Sequence, residues 1–148
     1  MSMPTILVVE DDNDHLELTL DALKDSYFSH NIVIARNGQE ALDYLFGEKI
    51  HLDRCTDDQP ELVLLDLRMP VMNGLQVIKR MRADPRTFFV PVVMLTIESE
   101  HSPAVIAYKG GFNSFLKKPL TTLAFDDALG QARAHWRNSN FSPLGPDL

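Results

Sequence analysis

Along the chain, short apolar runs alternate with stretches in which apolar residues recur at helical spacing. Thr5-Ile6-Leu7-Val8-Val9 is a run of β-branched and aliphatic residues that stops abruptly at Glu10, Asp11 and Asp12, as expected of a strand buried on both faces. Leu16, Leu20, Leu23 and Tyr27 then follow at helical intervals. Asn31 to Arg36 predicts a second strand, and Asn37-Gly38 turns into a helix carrying Ala41, Leu42, Leu45 and Phe46. Residues 47 to 60 are polar and patternless, which predicts a surface loop. A third strand is expected over 61 to 66, with Val77, Ile78 and Met81 marking the helix after it. Val90 to Thr96 predicts a fourth strand, and Ser102-Pro103 has the form of a helix start. Asn113 to Leu116 completes the strands, and Thr121 to Trp136 forms the last helix. From Asn138 the chain reads as a disordered tail, leaving a single domain over residues 1 to 137.

Five strands alternating with five helices imply an α/β fold, a mostly parallel sheet with helices on both faces, because parallel neighbours need crossovers. At 148 residues and 45% hydrophobic content, one domain with a substantial core is the expected size. The 14 Lys and Arg against 21 Asp and Glu, net −7, argue against nucleic-acid and anionic-membrane partners. The single cysteine, Cys55, cannot close an internal disulfide, and neither a leader nor an apolar run of spanning length is evident, so a cytoplasmic protein is expected.

In parallel sheets of this kind, ligands gather beyond the carboxyl ends of the strands. Those ends carry Glu10 and Asp11, Asp66, Thr96 and, after the fifth strand, Lys118. Three carboxylates at one edge repel one another unless a cation relieves them, and all-oxygen ligands favour Mg²⁺ over zinc. Carboxylate, Mg²⁺ and lysine together suit phosphoryl transfer to an aspartate. Asp66 ends a run of four apolar residues, where an acid is costly unless metal or solvent meets it. After it, Pro70 fixes one backbone angle and Gly74 offers a permissive position, so that the loop can wrap the carboxylate. Singly, each residue has an ordinary reading: Asp11 and Asp12 as first-turn helix acids, Thr96 as a strand-end hydroxyl, Phe115 as core, Lys118 as a solvated charge. Their joint occurrence at successive strand ends is what carries chemistry.

The segments VVEDD, LLDLRMPVMNG, VVMLT and GFNSFLKKP, in this order, resemble the receiver domains of two-component response regulators over roughly residues 4 to 136. The resemblance implies a flavodoxin-like fold of strand order 2-1-3-4-5. It implies Asp66 as phosphoacceptor, Glu10, Asp11, Asp66 and the backbone carbonyl of Arg68 as Mg²⁺ ligands, Thr96 as switch hydroxyl, Lys118 as phosphate-binding lysine and Phe115 as switch aromatic. The implied partner is a sensor histidine kinase. A narrower similarity, to single-domain receivers that work with phytochrome-type kinases, lies in the long loop before the third strand and in Trp136 near the end of the last helix. With no output domain in view, the signal is expected to leave through a downstream protein or a homodimer. Phe125, Leu129, Ala132 and Trp136 form one stripe of the last helix, which reads as core packing or, at its end, a two-fold contact.

Three departures accompany the resemblance. Ile97 stands where the family usually has a small residue and is expected to narrow access. Arg68 and Glu98 flank the site and are expected to pair across its mouth, obstructing a hydrolytic water. The loop 47 to 60 adds nothing to the site; His51, Asp53 and Cys55 there lack the second spaced set that a metal cluster needs. Among rival functions, a flavin carrier would want hydroxyls and amides after the first strand rather than Glu-Asp-Asp, which repels phosphate. An aspartyl phosphatase would want an acid two residues after Asp66, where Arg68 stands.

Overall fold

The computed structural model describes the backbone of residues 3 to 97 and 114 to 139, with side chains to residue 134. Its elements run β1 (Thr5–Val9), α1 (Asn13–Lys24), β2 (Asn31–Ala35), α2 (Gly38–Phe46), a 3-10 turn (Lys49–His51), β3 (Leu62–Asp66), α3 (Gly74–Arg82), β4 (Val92–Thr96), β5 (Ser114–Lys117) and α4 (Thr122–Ser139). All neighbouring strands are parallel, in the order β2-β1-β3-β4-β5, the expected flavodoxin-like arrangement. The helix expected to start at Ser102-Pro103 lies outside the described residues.

Alternation along the central strands splits the interior in two. Leu7, Val9, Val63, Leu65, Val92 and Met94 face one core, closed by Leu42 and Leu45 of α2 and Val77, Ile78 and Met81 of α3. Ile6, Val8, Leu62, Leu64, Val93 and Leu95 face the other, closed by Leu16 and Leu23 of α1 and by Phe125, Leu129 and Ala132 of α4. Strands apolar on both faces therefore read as continuous runs instead of alternating ones. The part of the last-helix stripe within the described side chains is core; Trp136 lies beyond them.

Each of the first three helices starts at a polar cap. Asp12 accepts from the His15 amide, Asn37 from that of Glu40, and Asn73 from that of Gln76, which reciprocates in a capping box. α2 ends at Gly47, in the left-handed region with φ 65°, a position that suits glycine. α1 ends at Lys24, so Tyr27 falls outside the helical stripe assigned to it and is exposed; its amide instead donates to Asp126 of α4 at 3.0 Å. β4 begins two residues later than expected, after Pro91, which has no N–H to give a ladder. β5 runs one residue further, to Lys117, and α4 continues to Ser139.

The loop 47 to 60 carries more order than its composition suggests. The Arg54 guanidinium stacks 3.9 Å over the Tyr44 ring and donates to the carbonyls of Tyr44 and Asp58. Gln59 donates to the carbonyls of Leu45 and Thr56. Polar side chains satisfying backbone acceptors leave no hydrophobic periodicity to read.

Candidate active site

Parallel strands end together, and here their ends assemble one acidic pocket. Glu10 follows β1, and its amide donates to the Ala35 carbonyl at 3.0 Å, extending that end of the sheet. Asp66 is the last residue of β3, paired with Leu95 of β4. One carboxylate oxygen from each of Glu10, Asp11 and Asp66 lies within 4.8 Å of the other two. Glu10 and Asp66 are buried, 2% and 5% exposed, and Asp11 is more open. This is the donor set a hard oxygen-seeking cation requires, and buried like charges at this spacing call for one.

Lys118 supplies the positive charge of the pocket itself. Its amide donates to the Thr96 carbonyl at 2.8 Å, tying the residue after β5 to the end of β4. Its Nζ lies 2.6 Å from Glu10 Oε1, 3.1 Å from Asp66 Oδ1 and 3.1 Å from His15 Nδ1. Burial pushes the Asp66 carboxyl up to about 7; Lys118 pulls it down and Glu10 pushes it further up. Asp66 is thus a carboxylate whose ionisation depends on cations beside it.

The loop after Asp66 alternates inward Leu67 and Met69 with outward Arg68 and Pro70. The Arg68 amide points at Asp66 Oδ1 from 3.4 Å, a long contact. The Gly74 amide donates to the Leu67 carbonyl at 3.0 Å, closing the loop. Gly74 is needed for reasons other than the expected permissive φ, because a Cβ there would meet the Asp66 main-chain oxygen at 2.6 Å. The left-handed position falls instead on Val71, with φ 67°, a strained conformation for a β-branched residue that is fully exposed.

The expected residues separate into those at the pocket and those near it. Glu10, Asp11, Asp66 and Lys118 converge, and Thr96 is buried at the neighbouring strand end, 1% exposed. Phe115 lies half-buried on β5, packed against the α2–α3 core. Asp12 is the N-cap of α1, and its carboxyl is held below the usual range mainly by the His15 amide. Ile97 is 64% exposed at the rim, and Arg68 is exposed. Glu98, the expected partner of Arg68, lies outside the described residues. Sequence reasoning missed His15; its only signal was a place in the first turn of α1, three residues after the cap.

Residues 6 to 129 match the response regulator receiver domain. The chain belongs to that family. It is 35% identical over 141 residues to the probable methanogenesis regulatory protein FilR2 of Methanothrix harundinacea, covering 95% of this chain and 88% of that protein. It is 31% identical to the transcriptional regulatory protein CpxR of Escherichia coli over 95% of this chain, but spans only 52% of CpxR. Among solved structures, the bacteriophytochrome response regulator AtBRR superposes with a TM-score of 0.80 at 37% identity, covering 90% of this chain and 94% of that one. The receiver fold expected from the motifs is therefore the one found, and the likeness extends to phytochrome-associated response regulators. Among the described residues, no helix is long and apolar enough to cross a membrane.

Proposed function

We propose that this receiver, spanning residues 1 to 137, accepts a phosphoryl group on Asp66 from the phosphohistidine of a sensor histidine kinase. The observation that carries this is the placement of a buried Asp66 carboxylate 3.1 Å from the Lys118 ammonium and beside Glu10 and Asp11. An Asp66 oxygen attacks phosphorus, the P–N bond to the imidazole breaks, and the freed imidazole nitrogen keeps the electron pair and takes up a proton, leaving an acyl phosphate on the receiver. Glu10, Asp11, Asp66 and the Arg68 carbonyl would hold Mg²⁺, which supplies charge to offset the transferring phosphoryl oxygens.

Lys118 and the Thr96 hydroxyl would meet the new phosphoryl oxygens, and Phe115 would respond as Thr96 is drawn inward. Water attack on the acyl phosphate, within the same pocket, resets the protein. The likeness to AtBRR favours a phytochrome-type kinase as donor. Output passes to a downstream protein or through a homodimer that uses the end of α4, states that light scattering at several concentrations separates.

Incubation with Mg²⁺ and acetyl phosphate, followed by intact-mass measurement, tests the central step. Wild type should gain one phosphoryl mass and Asp66→Asn none; equal masses would overturn the proposal.

A further inference from the structure

Lys118 is held by three acceptors, and one of them is not an acid. An ammonium has three N–H donors, and Glu10 Oε1, Asp66 Oδ1 and His15 Nδ1 take all three, at 2.6, 3.1 and 3.1 Å. Because the lysine can only donate, Nδ1 of His15 must be the unprotonated ring nitrogen in this contact, with the proton on Nε2. The lysine side chain is 8% exposed, so a donor deprived of its acceptor there would have little water to turn to.

Two further observations show that this contact is built. The His15 backbone is fixed by its cap, since its amide donates to Asp12 Oδ1 at 2.9 Å. Crowding does not force the ring onto the lysine: both line a cavity of about 140 Å³ whose other walls are Leu18, Thr19, Ile97 and Pro119. Of those four, only Thr19 carries a polar side-chain atom, so among the described residues the ammonium has few alternatives on that side.

We propose that His15 is a positioning residue that gives the Lys118 ammonium a neutral acceptor beside Glu10 and Asp66 and so keeps these two acids available to a divalent cation. The proposal rests on the reading of these carboxylates as a Mg²⁺ site. Lys118 and the cation draw on the same two acids. With His15 in place, the lysine keeps a neutral acceptor when it yields carboxylate oxygens. Without it, the buried ammonium has, among the described residues, Glu10 and Asp66 to lean on and competes with the metal. His15 touches no reacting atom in this scheme and acts through Lys118 alone.

The test compares wild type with His15→Leu, which removes the acceptor, and His15→Asn, whose Oδ1 stands close to the place of Nδ1. In metal-free protein with ¹⁵N-labelled lysine, the Lys118 ammonium resonance should shift and exchange faster with water in His15→Leu and return toward wild type in His15→Asn. By calorimetry, His15→Leu should bind Mg²⁺ roughly fivefold more weakly, and His15→Asn should recover most of that loss. An unmoved resonance, an unchanged Mg²⁺ affinity in His15→Leu, or His15→Asn behaving as His15→Leu does would each overturn the inference. Failure of wild type to gain a phosphoryl mass would instead overturn the reading of Asp66, and the ammonium resonance would still decide whether His15 holds the lysine.

Discussion

Gly74 sits directly against the main chain of Asp66: a methyl group added at Gly74 would lie 2.6 Å from the Asp66 carbonyl oxygen and 3.1 Å from Leu67 Cα. Both obstacles are backbone, which cannot rotate aside. Gly74→Ala is therefore expected to lose about 1–3 kcal/mol of stability despite the better helix propensity of alanine. It should also slow phosphorylation, since the displaced strand end carries the acceptor. Urea unfolding and a phosphorylation time course check both; an unchanged midpoint would mean that the loop relaxes without strain.

The metal-free protein should grow less stable from pH 5 to pH 8 because of Asp66. Its folded carboxyl titrates at about 7, against an unfolded value of about 3.9, so between these values the folded state binds more protons. The stability this confers is complete below the unfolded value and drains away as pH rises through the folded one. Asp66→Asn should flatten the dependence and exceed wild type at pH 8 by on the order of 1–2 kcal/mol, less than the whole shift because solvent screens the rim. Chemical denaturation across this range, without Mg²⁺, provides the measurement.

Lys118→Met removes the one cation found among Glu10, Asp11 and Asp66 in the described residues. At pH 8 the uncompensated acids should cost about 2–4 kcal/mol, and millimolar Mg²⁺ should recover much of it. A thermal melt with and without Mg²⁺ distinguishes this from simple loss of packing, which the ion would leave uncorrected.

Asp12→Ala separates capping from catalysis. The Asp12 carboxylate accepts from the His15 amide, which lowers its pKa, so its contribution to stability is present above the unfolded carboxylate value and is lost as pH falls through the folded one. The variant should melt at a lower temperature near neutral pH, the gap closing in acid. Its Mg²⁺ affinity should fall by no more than the roughly fivefold expected of His15→Leu, because the cap acts on the site only through His15, and a larger loss would make Asp12 a ligand.

Arg68→Ala should shorten the lifetime of the acyl phosphate several-fold by opening the mouth to water. Arg68 is exposed immediately beyond Leu67, with its amide turned to Asp66. The decay of the phosphoryl mass after removal of the phosphodonor gives the lifetime directly, and an unchanged value would dismiss the obstruction.

The parallel sheet was legible because β1, β3 and β4 are buried on both faces, a pattern that only helices on both sides explain. Glu10 and Asp66 could be placed because each ends or follows such a run, and Lys118 because it follows the shorter, half-buried β5. His15 was not legible, since its role depends on a lysine 103 positions away in the chain. Tyr27 misled because a helical spacing continues on paper past the residue where the helix stops. Gly74 was singled out for its freedom of angle, whereas its lack of a side chain is what counts, a distinction only the proximity of Asp66 reveals.

The register of β3 has a consequence beyond packing. Odd residues of that strand feed one core and even residues the other, so a slip by one would invert every side chain. A slip by two would keep the faces but carry Asp66 about 6.6 Å along the strand, further than the 4.8 Å that gathers it with Glu10 and Asp11. The hydrophobic interior is thus a ruler for the chemistry above it, and a misregistered molecule would have no reactive centre to mislead its partners.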